Sequence, residues 1–265
     1  MRNIIAIARK ELNVYFTTPI AYVVFCGMTF IASYLFLNDL QNFAQLSMMA
    51  TQMPDRMDPS KLNLTDVVMV PLLVKCGFVL ILVVPFLSMR LMADEKKQRT
   101  FELLMTAPVR PIEIVFGKYL GGAIVLVITV ALTMTYPLVL AHYGASAGSG
   151  AAIEWPTVLA GYLGLALFAC AYMSLGLFIS SLTESQVVAA IISLVVMLVL
   201  WLLSLAGSSV DNATAKEVLN YCCSSQHLIG FVRGEIAVKD IVYFASLIAL
   251  GLFLTQRAVE GQRWA

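Results

Sequence analysis

The sequence predicts an all-α integral membrane protein with six transmembrane helices. Of its 265 residues, 60% are hydrophobic and only 12% are charged, whereas soluble domains carry about 25% charged residues. So few charges cannot cover a water-soluble globule of this size. Six separate apolar runs are each close to the length of about 20 residues that a helix needs to cross a bilayer. The expected architecture also includes an N-terminal interfacial helix and a cytoplasmic helix between spans two and three.

The apolar runs define the spans of a single transmembrane domain that covers residues 1–265. The predicted spans are residues 19–37, 67–89, 114–140, 158–182, 187–205 and 238–256. The second and third are long enough to tilt in the bilayer or to extend into its interface. The sixth has the weakest signal, because Lys239 and Asp240 stand at its start.

Lysine and arginine are distributed unequally between the two sides of the predicted bundle. An even number of spans puts both chain ends on one side, which would hold eleven of these residues, against five on the other side. Basic residues concentrate in cytoplasmic loops, so both termini and the loop between spans two and three are expected in the cytoplasm. The formal charge of +1 gives no indication of a nucleic-acid partner.

The first 18 residues predict an amphipathic helix that lies along the inner membrane interface. Its apolar residues recur at helical spacing, and they are Ile4, Ile7, Ala8, Leu12, Tyr15 and Phe16. Arg9, Lys10 and Glu11 are its candidate interfacial residues, and Pro19 ends the helix where the chain turns into the membrane. The alternative is a frayed basic anchor that only sets topology. The spread of charge over the first turns and the lack of a small-residue cleavage site argue against a signal peptide.

A charged stretch predicts a short amphipathic helix over residues 94–106, between spans two and three. The sequence DEKKQRTFELLMTAPVRP begins with acidic residues, which suit a helix N-terminus, and basic residues follow. The apolar run FELLM gives a face that a plain solvated connector would not need, and such a face fits a groove on another protein. Pro108 ends this helix, and Pro111 suits the first turn of the next one.

Two long segments are expected on the outer side. Residues 38–66 carry apolar residues at helical spacing up to Pro54, which predicts an amphipathic helix on the outer leaflet. The methionines of this segment fit packing against lipid or a partner better than a copper(I) site. Residues 208–237 hold two short amphipathic patterns, and such a segment can enter the membrane only where protein or water satisfies its backbone. A metal site at Cys222, Cys223 and His227 is the alternative to a loop with two thiols, and no bound metal is expected.

Lys75 is the one clear charge inside a predicted span. Its side chain would either extend to the outer interface or face a polar cavity or the seam of a dimer. The sequence leaves both interpretations open.

The sequence contains no recognisable catalytic site. A P-loop needs the pattern G-x-x-x-x-G-K-[ST], and the pair Gly117-Lys118 is followed by Tyr119 at the start of a span. His142 and His227 both fall in predicted outer loops, and no span carries paired aspartates or an H-E-x-x-H motif. The chain is therefore not expected to be an enzyme or to bind a cofactor of its own.

Several segments resemble the type-2 ATP-binding-cassette (ABC) permeases. The stretch RLMADEKKQRTFELLMTAPVRPIEIVFGKYLG is similar to their cytoplasmic signature, with Phe101 in place of the usual leucine. ARKELNVYFTTPIAYVV resembles their interfacial helix, and GLFISSLTESQVVAA resembles their tight turn between spans four and five. SSQHLIGFVRGEIAVKDIVYFASL is similar to the branch that serves gliding motility and nitrous-oxide-reductase maturation.

The resemblance implies six spans with outer re-entrant helices between spans five and six. It also implies that residues 94–106 form a coupling helix in a groove of a separate ATPase subunit. The expected coupling residues are Asp94, Glu95, Lys96, Arg99, Thr100, Glu102 and Leu103. The ATPase subunit would bind ATP and Mg, and a second permease copy or a related permease would complete the complex in the bacterial inner membrane.

The function implied is export driven by ATP hydrolysis in that separate subunit. The alternative is a mechanotransmission complex, which would pass conformational work to an extracytoplasmic accessory protein docked on residues 38–66 and 208–237. A third class, a passive channel, would have no ATPase partner. The sequence does not identify what is moved.

Overall fold

The computed structural model describes residues 2–52, 63–98, 109–144, 153–208 and 213–264. The helices are α1 (Arg2–Thr17), α2 (Ile20–Gln52), α3 (Val70–Lys97), α4 (Pro111–Thr133), α5 (Thr135–Gly144), α6 (Trp155–Leu182), α7 (Gln186–Ser208), α8 (Ala213–Cys222), α9 (Ser224–Val232) and α10 (Val238–Trp264). A π-helical turn, Thr65–Met69, leads directly into α3. This part of the chain contains helices and short connections but no β-strand, which confirms the all-α fold class.

Six helical stretches within the described segments are long and apolar enough to cross a membrane, as predicted. They are Ile20–Gln52, Thr65–Lys97, Pro111–Tyr143, Trp155–Leu182, Gln186–Ser204 and Val238–Gln262. Several of these helices run beyond the apolar cores from which they were predicted. The 33 residues of α2 extend over about 50 Å at 1.5 Å per residue. Residues 38–52 therefore continue the helix of the first span, whereas the sequence pattern predicted a separate helix on the outer leaflet.

The predicted coupling helix is described only in part. Asp94 to Lys97 form the last turn of α3, which continues from the second span without a break, instead of starting a separate helix. This continuation is favourable because the residues of this turn are mostly good helix formers, and Lys96 and Lys97 stabilise the negative end of the helix dipole. Residues 99–108, which hold the rest of that predicted helix, lie outside the described residues.

Successive long helices alternate in direction, so the bundle has two distinct ends. One end holds α1, the C-terminal turns of α3 and α10, and the α6–α7 turn, and we call it the junction end. There the side chain of Gln262 donates a hydrogen bond to the carbonyl of Ser181 (3.2 Å). The other end, which we call the opposite end, holds α8, α9 and the first turn of α6, where Asn63 donates to Glu154 (2.8 Å). The short helices α8 and α9 occupy the region in which re-entrant helices were predicted.

The central helix of the bundle is α6, which packs against α3, α4, α7, α9 and α10. Its most apolar stretch is 72% buried, compared with 17% for α7, so α6 belongs to the core and α7 to the periphery. Close contacts at two glycines hold the neighbours of α6 in place. A side chain at Gly164 would overlap Phe231 of α9, and a side chain at Gly176 would overlap Ser88 of α3.

A proline explains the break between α4 and α5. Pro137 has no backbone N–H and cannot bond to the carbonyl of Thr133 four residues earlier. The hydroxyl of Tyr162 in α6 donates a hydrogen bond to this carbonyl at 2.7 Å. The backbone carbonyl left without its helical hydrogen bond in the third span therefore bonds to a side chain of the central helix. An apolar environment requires such a partner for every backbone polar group.

Candidate functional site

A lysine with almost no solvent exposure lies at the junction end. Lys118 of α4 is 1% exposed, and its Nζ is 2.9 Å from Oε1 of Glu11 in α1 and 2.9 Å from Oε2 of Glu95 in α3. The same ammonium donates to the backbone carbonyl of Leu91 at 2.6 Å. The ammonium makes hydrogen bonds to Glu11 and to Leu91 and an ion pair with Glu95. The buried cation is thus fully compensated, whereas an isolated buried charge would be very costly.

Lys10 completes a network of four charges, which we call the junction network: Lys10, Glu11, Glu95 and Lys118. Its Nζ lies 2.7 Å from Oε1 of Glu95 and 3.8 Å from Oε1 of Glu11. Partial burial acts to lower the pKa of Lys10, but the hydrogen bond and negative charge of Glu95 outweigh it and raise this pKa above its ordinary value. Lys10 is therefore cationic at neutral pH. Two lysines and two glutamates join α1, α3 and α4 without a net charge.

Two glycines allow α1 to lie close along α4. A Cβ added to Gly117 would be 2.7 Å from the Cβ of Ile7, and one added to Gly121 would be 2.7 Å from the Cβ of Glu11. Real Cβ atoms do not approach one another this closely, so any other residue at these positions would push α1 away. Small residues spaced by four are a common means of close helix contact in membrane proteins. Here they bring Glu11 within reach of Lys118.

The turn between α6 and α7 holds the other side of the α3 C-terminus. The hydroxyl of Ser180 accepts hydrogen bonds from two backbone N–H groups of α3, at 3.2 and 3.1 Å. Lys96 donates to the carbonyl of Ser181, and Nε2 of Gln186 donates to Oδ1 of Asp94 at 2.7 Å. The last turn of α3 is therefore fixed by α1 and α4 on one side and by α6 and α7 on the other.

A charged cavity of about 400 Å³ opens beside the junction network. Its charged lining consists of Lys10, Glu11, Arg90, Asp94, Glu95 and Lys118. Nη2 of Arg90 lies 3.6 Å from Oδ2 of Asp94. With three basic and three acidic side chains, the lining is strongly polar but carries no formal net charge.

The coupling and interfacial residues that the sequence predicted lie around this junction, as far as the structure describes them. Asp94, Glu95 and Lys96 are in the last turn of α3, and Lys10 and Glu11 belong to the junction network, whereas Arg9 is exposed on α1. Four further predicted coupling residues lie outside the described residues, namely Arg99, Thr100, Glu102 and Leu103. The role of all these residues in ATPase coupling stays a prediction.

Sequence reasoning missed Lys118 as a functional candidate. It considered this lysine only as part of Gly117-Lys118, which fails the P-loop pattern. The spacing of Gly117 and Gly121 within an apolar run was a usable signal, because it is typical of a helix–helix contact. No local pattern could have paired Lys118 with Glu11, which is 107 residues away in the chain.

Lys75 has a partner within the chain that the sequence analysis did not anticipate. Its ammonium donates to Oδ1 of Asp39 in α2. Asp39 is buried, and its second carboxylate oxygen has no hydrogen-bond partner among the residues that the structure describes. The side chain of Lys75 remains 39% exposed, so the pair ties α2 to α3 while part of the lysine still faces outward. Its position relative to the outer interface or a dimer seam stays a prediction.

The ring nitrogens of His227, at the opposite end, are both occupied by hydrogen bonds. Nδ1 lies 2.6 Å from Oδ1 of Asp240, and Nε2 lies 2.8 Å from the carbonyl oxygen of Tyr221. The ring of Tyr243 stacks on the imidazole with centroids 4.0 Å apart. Across the described segments, no group of three or more His, Cys, Asp or Glu residues is arranged to hold a metal ion. The cluster therefore ties α8, α9 and α10 together by hydrogen bonds and stacking.

The fold and the junction define a class of protein, a multi-pass membrane protein whose six-helix apolar bundle carries a buried network of four charges at one end. The model of a family described as ABC-2 family transporter protein matches residues 5–228, which include the whole junction network. The chain belongs to this family, and it is therefore a membrane permease subunit of an ABC transporter. Members of this family are transport subunits and are not enzymes themselves. Membership of the family implies that this chain has an ATPase partner. A comparison with curated proteins gives no match.

Proposed function

We propose that this permease couples ATP hydrolysis by a separate nucleotide-binding subunit to export across the bacterial inner membrane. The junction network is the observation that supports this proposal most. The segment 99–108 follows directly after the last turn of α3, and Glu95 in that turn is bonded to Lys10 and Lys118. A force applied to the segment would therefore act on α1, α3 and α4 together.

The physical basis of this coupling is the cost of separating buried charges. Removing one partner of a buried ion pair typically costs about 3–5 kcal/mol, so helices joined by such pairs tend to move as one unit. The hydrogen bonds of Ser180 and Gln186 extend the unit to the turn between α6 and α7. The junction is thus suited to convert displacement of one short segment into tilting of several spans.

In this proposal the junction end and both termini face the cytoplasm. The ABC ATPase subunit docks at this end and binds ATP and Mg, while the permease binds no cofactor itself. A second permease copy or a related permease completes the complex, and α1 lies along the inner interface. An extracytoplasmic accessory protein would contact the opposite end.

The test reverses one charge in the coupling segment and leaves the bundle intact. We expect Glu102→Arg to insert normally but to lose co-purification with the ATPase subunit or the stimulation of its turnover. Glu217→Arg is the matched control, because it makes the same change at an exposed position of α8 at the opposite end. Wild-type co-purification and wild-type turnover of Glu102→Arg would refute the coupling assignment.

A second function, mechanotransmission, is favoured by the position of α6. This helix contacts α3 through Ser180 at the junction end, and its Gly164 packs directly against Phe231 of α9 at the opposite end. One buried helix therefore connects the junction with α8 and α9. Mechanotransmission requires ATP-dependent binding of an outer partner without solute movement through sealed vesicles, whereas export requires ATP-dependent solute movement.

A further inference from the structure

We propose that a zwitterionic phospholipid binds between α1, α2 and α3, with its headgroup in the charged cavity and one acyl chain in an adjoining apolar groove. The proposal goes beyond ATPase coupling, because it depends on the shape and lining of two hollows and not on the segment that meets the ATPase.

The apolar groove lies between α2 and α3 and has a volume of about 430 Å³. Val24, Met28 and Val79 are buried along it, while Val23 and Phe86 are more than half exposed at its rim. Both this volume and that of the charged cavity lie within the range of about 300–1,000 Å³ that is usual for small-molecule sites.

The length of the groove matches one leaflet of a bilayer. On α2 it runs from Ile20 to Ile31, and on α3 from Val79 to Met89, which corresponds to about 15–16 Å of helix. Half of a hydrocarbon core about 30 Å thick is about 15 Å. A spanning helix from another chain would need a groove along the full span, so the length favours an acyl chain as the occupant.

The linings of the groove and of the charged cavity come within one residue of each other along α3 at the junction end. Met89 lines the groove, and the next residue, Arg90, lines the cavity. Pro19 and Ile20 line the groove just after the end of α1, whose residue Tyr15 lines the cavity. A molecule with a polar head and an apolar tail fits both spaces at once, with the head at the surface where α1 lies.

The lining of the cavity favours a headgroup that carries both signs of charge. Lys10 has a 58% exposed side chain, and Arg90 has five N–H donors, so these two residues suit a phosphate. Asp94, with a 23% exposed side chain, suits a primary ammonium. A purely anionic headgroup would face as many carboxylates as cations, because the lining has no formal net charge. An aminophospholipid such as phosphatidylethanolamine satisfies both sets.

Gly27 gives a direct test of the groove. A Cβ at this position meets no atom within 4 Å, so Gly27→Leu fills the groove without displacing the backbone. Gly261→Leu is the matched control, because Gly261 is also helical and its Cβ would also meet nothing within 4 Å. The full-length permease is purified with its ATPase partner into nanodiscs of equal parts phosphatidylethanolamine and phosphatidylglycerol. After mild delipidation, native mass spectrometry measures the retained lipid and the oligomeric state.

We expect the unmodified protein and Gly261→Leu to retain phosphatidylethanolamine in preference to phosphatidylglycerol. Gly27→Leu should lower this retention by about tenfold or more, and Arg90→Gln should lower it while the junction network stays paired. Equal retention of the two lipids, or the same retention in all variants, would show ordinary annular lipid and overturn the proposal. A change of oligomeric state in Gly27→Leu with unchanged lipid would instead assign the groove to a second copy of the chain.

Discussion

Buried titratable side chains in the described bundle connect different helices. Lys118 joins α4 to α1 and α3, Asp39 joins α2 to α3 through Lys75, and Asp240 joins α10 to α9 through His227. An unpaired charge or carboxylate in such a place would be prohibitively costly. These contacts therefore specify which helices are neighbours, whereas apolar packing alone discriminates poorly in lipid.

The first prediction separates the buried lysine of the junction network from the exposed one. Lys118→Met removes the buried cation that lies between Glu11 and Glu95, so we expect the free energy of unfolding to fall by about 3 kcal/mol or more. Lys10→Met should cost at most about 1 kcal/mol, because that lysine is largely exposed. Reversible unfolding in mixed micelles measures both changes.

A double variant is the control for this difference. Glu11→Gln in the Lys118→Met background removes one uncompensated carboxylate, and part of the lost stability should return. If Lys118→Met and Lys10→Met cost the same, or if Glu11→Gln adds a further independent loss, the energetic role assigned to Lys118 is wrong.

At the scale of whole elements, α1 depends on α4 for its position. Its Ala8, Glu11 and Tyr15 are buried, and the two glycines of α4 allow the approach of its backbone. The hydroxyl of Tyr15 donates to the carbonyl of Leu87 in α3 at 2.7 Å. Specific contacts of Glu11 and Tyr15 therefore hold α1 against the bundle. An amphipathic helix held by lipid alone would not need them.

The second prediction tests this close packing with one methyl group. Gly121→Ala places a Cβ 2.7 Å from the Cβ of Glu11, so α1 has to shift away from α4 and the contact between Glu11 and Lys118 should lengthen. We expect Ala8→Cys, at a buried position of α1, to react faster with a water-soluble maleimide in this background. Gly261→Ala should leave the rate unchanged, and an equal rate in Gly121→Ala would rule out the tight contact.

Local sequence patterns predicted the elements better than their contacts. The lengths of the apolar runs predicted the six spans, and the helical spacing of apolar residues predicted the helix of residues 2–17. Both properties can be read from contiguous residues. The continuation of α2 to Gln52 was missed, since polar residues after Leu37 made the apolar signal end before the helix does. The pairing of Asp39 with Lys75 depends on how two helices align, which no single stretch encodes.

At the scale of the whole molecule, the two ends of the bundle differ in how their charged side chains are arranged. The junction end combines a neutral ion network with a last turn of α3 that is fixed on two sides. The opposite end is closed by α8 and α9, and its His227 is held by a hydrogen bond and stacking. The central helix α6 packs against elements of both ends, as the proposed transmission of motion through the core requires.

The third prediction concerns the orientation of this asymmetric molecule. Six spans bring α1 and the end of α10 to one side and α8 to the other, and the basic residues concentrated on the α1 side should keep it in the cytoplasm. Arg9→Cys, Gly261→Cys and Lys216→Cys, each in a background without the native cysteines, place one thiol at an exposed position. A membrane-impermeant maleimide should label only Lys216→Cys in intact spheroplasts and all three after permeabilisation. Labelling of Arg9→Cys without permeabilisation would reverse the orientation, and a difference between Arg9→Cys and Gly261→Cys would contradict an even number of spans.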